Sequence, residues 1–82
     1  MDNKNITYDQ ITQVAKEQIT SLRDLVVGKD QNYVFTAKAS ARGVYRVWEA
    51  FFHFAPSVAI AVDDNTQLKA LIDSFDSLAK SQ

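Results

Sequence analysis

Val44–Val62 reads VYRVWEAFFHFAPSVAIAV, and how this stretch folds decides the architecture, because it holds the single Trp and three of the five Phe. Stepped at 100° per residue from Val44 to Ala55, Arg46, Glu49 and His53 fall within about 60° of one another and all other side chains occupy the remaining arc. That segregation predicts an amphipathic helix with a narrow polar stripe. Arg46 and Glu49 are oppositely charged i,i+3 neighbours, and Glu49 and His53 stand one turn apart. A membrane span is excluded, since three ionisable groups would sit within it and Pro56 would break its hydrogen-bond ladder. The stretch reads as the buried helix of a soluble protein, ended near Ala55 by Pro56.

Working outward, 82 residues make one domain, 1–82, near the lower limit at which a single core suffices. The absence of Cys removes disulfides and thiolate metal sites, and fits a reducing compartment. The polar start MDNKNITYDQ carries no signal or transit pattern, so the expected location is cytoplasmic. Nine basic against ten acidic residues, a net charge of −1, speak against a general polyanion binder. Two Gly and one Pro with 46% hydrophobic residues point to few turns and long elements.

Thr7 and Gln10 have the spacing of a capping box, and Ile6 and Ile11 that of a hydrophobic staple. From there Tyr8, Ile11, Val14, Ala15, Ile19, Leu22, Leu25 and Val26 share a face, which predicts a helix over Tyr8–Val27. Gly28 suits the left-handed position after it. The segment YVFTAKASARG, 33–43, has two readings. As helix it extends the central one backward, with Tyr33, Ala37, Ser40 and Ala41 on the apolar side. As strand it pairs with VYRVW in a hairpin at about 33–48, which would make the fold α+β. The clean 3.6-residue segregation of 44–55 favours helix, whereas Gly43 favours the hairpin. After Pro56, SVAIAV reads as extended or as a helical turn. Asp64 then reads as the N-cap of a last helix that carries Leu68, Leu71, Ile72, Phe75 and Leu78 to about Ala79. The fold expected is an all-α three-helix bundle around the central apolar helix.

The catalytic inventory is small, with one His, two Glu, and no phosphate loop or nucleophile elbow. Glu49 with His53 could begin a metal site only if Asp63 or Asp64 supplied further ligands, and the pair reads more simply as a solvated stripe. The expectation is therefore no enzyme, no cofactor and no metal. Lys29, Lys38, Arg42 and Arg46 against Asp30 give residues 29–46 a net +3, and Lys38, Arg42 and Arg46 would share a helix face, so a small nucleic-acid-binding regulator is the alternative function. Glu49 on that stripe opposes it, and four Asp with Lys69 give 63–76 a net −3 that could pair with the basic stripe within the chain.

The central helix has an apolar arc of about 220°, against the roughly 100° that suffices to face one core. This predicts a second interface, with another protein or with a second copy. Tyr33, Phe35, Tyr45, Trp48 and Phe52 are the expected anchors, with Arg42 and Arg46 at the edge, since aromatics and Arg anchor interfaces. The length, the polar Asn- and Lys-containing start, the lack of Cys and the apolar helical middle together resemble the T-even phage lysis-inhibition accessory proteins, which are cytoplasmic antiholin components. That resemblance implies binding to the cytoplasmic part of a holin to delay lysis, and carries over no site residue. The function expected is that of a small regulator or inhibitor acting by protein binding.

Overall fold

The computed structural model describes residues 7–78. Three helices follow one another, α1 Tyr8–Val26, α2 Gln31–Glu49 and α3 Val58–Asp73, with single 3₁₀ turns at Phe52–Phe54 and Ser74–Ser77. No strand occurs among the described residues, so 33–43 is helix and the hairpin alternative falls. No helix among them is long and apolar enough to cross a membrane.

α1 begins where its capping signal lies. The Thr7 hydroxyl accepts the Gln10 N–H at 3.1 Å, and the Gln10 side chain returns an acceptor to the Thr7 N–H at 2.9 Å. The staple partner Ile6 lies outside the described residues. Tyr8, Thr12, Ala15, Ile19 and Val26 are buried at alternating steps of three, four and seven, the seam spacing of two packed helices. Gly28 takes φ 75°, the left-handed value that a Cβ disfavours, and lets the chain reverse within four residues. α2 returns antiparallel and meets that seam with Val34, Ala37, Ala41 and Trp48. The small Ala15 lies beside Val44 and Trp48, and α1 and α2 form the most extensively packed pair of helices.

α2 departs from expectation in two ways. Val34, not Tyr33, faces the core; Tyr33 and Ser40 are exposed, because the helix register is set by Trp48 and Ala41 rather than by aromatic content. The helix also stops at Glu49, well short of Ala55. The Phe51 N–H bonds to Trp48 O at 2.8 Å and the Phe54 N–H to Phe51 O at 3.0 Å, so the repeat tightens to three. At that repeat Phe51 and Phe54 come over each other, with ring centroids 6.2 Å apart, and Phe52 turns its edge onto Trp48 at 5.7 Å. Aromatic packing thus ends the α-helix before Pro56 does, and the Pro then holds Ala55 extended.

α3 starts at Ser57, whose Oγ accepts the Ile60 N–H at 3.2 Å, and not at Asp64. In SVAIAV, Ser57 is the cap and residues 58–62 are helix, and Asp63 and Asp64 lie inside that helix. α3 runs parallel to α1 on the α2 partner, and Leu68, Ile72 and Phe75 join the core. The expected end at Ala79 falls outside the described residues; α-helix gives way to a 3₁₀ turn at Ser74. Leu78 O accepts the Gly28 N–H at 3.3 Å and ties the last turn to the first reversal.

Candidate partner interface

The expected anchors do not form one surface. Trp48 is 1% exposed, so it is a core residue rather than a contact for a partner. Its indole N–H donates to Thr12 Oγ1 at 2.8 Å, and its ring stacks on Tyr45 and tilts against Tyr8. A buried indole needs such a partner, which explains why Thr12 is the one buried polar residue of α1. Tyr45 is half-buried between α2 and α3. Its hydroxyl donates to Asn65 Oδ1, and burial, then the Glu49 carboxylate, raise its pKa.

Arg42, Tyr45 and Arg46 do come together. With Glu49 they line one shallow cleft on the outer side of α2, and Arg42 and Tyr45 continue into a second with Lys69, Ile72 and Asp73 of α3. Phe35 stands two turns earlier on the same face, seven residues from Arg42, and is 73% exposed. Arg42 and Arg46 form no ion pair among the described residues. Lys38 does. Its Nζ meets Asp76 Oδ1 at 2.8 Å, so part of the basic stripe is answered by the acidic segment of the same chain. Phe52 lies at the end of this helix, partly exposed, while Tyr33 points from another side of α2, about 160° from Phe35.

Glu49 closes α2 and His53 lies in the 3₁₀ turn after it, where its ring packs against Phe54 at 4.5 Å. Asp63 and Asp64 are engaged elsewhere. Asp64 accepts the Tyr8 hydroxyl at 2.7 Å and faces Lys16 Nζ at 3.5 Å, while Asp63 accepts from Gln67 at 2.7 Å. Desolvation by burial, then the bond to Asp64, push the Tyr8 pKa up to about 12. No cluster of three His, Asp or Glu able to hold a metal occurs among the described residues.

Sequence reading placed Val14 and Leu25 on the apolar face of α1, but they are exposed, as is Val47, on the side of the α1–α2 pair turned away from α3. A signal for them existed: α1, like α2, carries an apolar arc wider than one neighbour covers. Comparison with known proteins yields no significant match, whether to a family model, to a curated protein or to a solved structure.

Proposed function

We propose that this chain is a non-enzymatic regulator or inhibitor that acts by binding another protein through the outer face of α2. Phe35, Arg42 and Arg46 form the contact, Tyr45 is its floor, and Phe52 extends it at the helix end. The observation that carries this reading is the exposure of Phe35 on a face with two arginines that no described residue pairs. An exposed aromatic beside Arg supplies contact area at small entropic cost, and the guanidinium groups orient an acidic partner.

The antiholin resemblance names the partner to try first, the cytoplasmic part of a holin, and a cytoplasmic setting belongs to the same proposal. Direct titration of that segment against the purified chain tests it. Binding is expected to weaken by at least about tenfold in Phe35→Ala and to lose salt dependence in Arg42→Ala with Arg46→Ala. Absence of binding removes the holin reading. A pull-down from host lysate in which Phe35→Ala recovers the same proteins as the wild type removes the surface.

A further inference from the structure

α3 meets α1 and α2 on one side only. α3 is reached by Lys16 of α1 and Tyr45 of α2, and the 3₁₀ turn that closes it by Arg23 and Lys38. On the other side, Val14, Gln18 and Leu25 of α1 and Ser40, Gly43 and Val47 of α2 point outward, and all six are exposed. Not one carries a charge, although α1 and α2 together hold nine charged residues on their remaining sides. Between the helices runs an apolar groove lined by Ile11, Val14, Val44 and Val47.

No described residue covers this face. Gly43 is the poorest helix former after Pro, yet a Cβ placed there would meet nothing within 4 Å. A Gly beside Ser40 on an outer helix face permits another backbone to come close. The face is also large enough to hold a partner. Nineteen residues of helix span about 28 Å, and two helices side by side about 20 Å, so each copy offers roughly 550 Å². Two such faces together exceed the roughly 1,000 Å² that a specific interface needs.

We infer that this uncharged face of α1 and α2 is the contact of a symmetric homodimer, in which two α1–α2 hairpins close into a four-helix core with α3 outside. A second copy is the occupant that the charge pattern selects. It brings an identical face, so a two-fold contact buries no charge from either side. A charged partner would have to leave its own charges unpaired against this surface. The inference stands apart from the proposed partner contact, because Phe35, Arg42 and Arg46 lie on a different side of α2.

Sedimentation equilibrium of the full chain, from micromolar to millimolar, tests the dimer, alone and in Val14→Lys and Val47→Lys. Both positions are at least half exposed, so the variants keep their helices, and circular dichroism checks that they do. The expected result is a wild-type dimer that weakens by at least about tenfold in each variant, because a buried unpaired Lys must be desolvated. Phe35→Ala should associate like the wild type, which separates this contact from the partner face. A wild type monomeric throughout, or a dimer unchanged in both Lys variants, overturns the inference. So does a monomeric wild type that binds a different host protein only when Val14 and Val47 are intact, since the face then belongs to that protein.

Discussion

α1 and α3 lie parallel on the same middle helix, yet they are held to it by different means. α1 sorts its side chains, with a continuous buried seam from Tyr8 to Val26 and charges elsewhere. α3 does not. Its first turns carry Val58, Ile60 and Val62 in solvent with only Ala61 buried, and the large core residues come later, Leu68 and Ile72 from its second half and Phe75 from the 3₁₀ turn that follows. Between and around these, α3 and its closing turn are fastened to both other helices by polar contacts: Tyr8 to Asp64, Tyr45 to Asn65, Arg23 to Ser74 and Lys38 to Asp76. A helix positioned by a seam has its limits written in its own residues. A helix positioned by side chains of other helices does not.

The largest effect that would sharpen this contrast is expected in the 3₁₀ turn that closes α3. Phe75 is fully buried, and Phe75→Ala should lower stability by about 3–5 kcal/mol in denaturant unfolding. A loss below about 1 kcal/mol would mean that α3 is hardly docked. Phe51, half-buried beside Phe54, should cost less on truncation.

Next in size is the polar fastening at Tyr8, which can be read by pH. Below pH 10 the Tyr8 hydroxyl is protonated in both folded and unfolded chains, and its contribution is fully present. Between pH 10 and about 12 the unfolded chain releases the proton while the folded chain keeps it, so stability falls as pH rises. The loss should approach about 2–3 kcal/mol by pH 12. Melting curves from pH 9 to 12 should flatten in Tyr8→Phe, and an unchanged slope there would assign the loss to other groups.

The two adjacent aspartates give a smaller and more selective comparison. Asp64→Ala leaves the buried Tyr8 hydroxyl without its acceptor and should cost about 1–3 kcal/mol. Asp63 is exposed and accepts a bond from Gln67 one turn on in the same helix, so Asp63→Ala should change stability by less than about 0.5 kcal/mol. Equal effects would restore both to the role of helix caps. Smallest of all are the changes at the start of α3. Ser57→Ala should cost about 1 kcal/mol through loss of the cap, and Val58→Ala should fall within about 0.5 kcal/mol. A costly Val58→Ala in thermal melts would show that the first turns of α3 touch more than solvent.

These contrasts explain what could be read from the residues alone. The helix α1, its cap at Thr7 and the left-handed Gly28 each depend on neighbours within a few positions, and periodicity finds them. The choice of helix for 33–43 also followed from local pattern, because Arg46 and Glu49 sort at 3.6 and not at 2. The end of α2 escaped because Phe51, Phe52 and Phe54 pack on one another and on Trp48, which no spacing rule represents. The start of α3 escaped for a second reason. Asp63 and Asp64 resemble caps, and it takes Tyr8, 56 positions earlier, to make Asp64 an interior residue. Within the candidate interface, Arg42, Tyr45, Arg46 and Phe35 stayed together because they share a helix face. Trp48 left the set because only a packed structure shows the indole bonded to Thr12.

The uneven fastening of the helices also orders how the molecule comes apart. Buried apolar contact sets how often a segment opens, and segments with little of it exchange their amide hydrogens first. Opening should therefore begin at Val58–Val62, spread through α3 as Leu68, Ile72 and Phe75 lift away, and reach the α1–α2 hairpin last. The bond from Trp48 to Thr12 joins α1 to α2 and does not involve α3. Native-state hydrogen exchange should then show amides of Val58–Val62 exchanging at low denaturant and those around Ile19 and Ala41 only on global unfolding, so that loss of α3 leaves a closed hairpin with its indole still bonded.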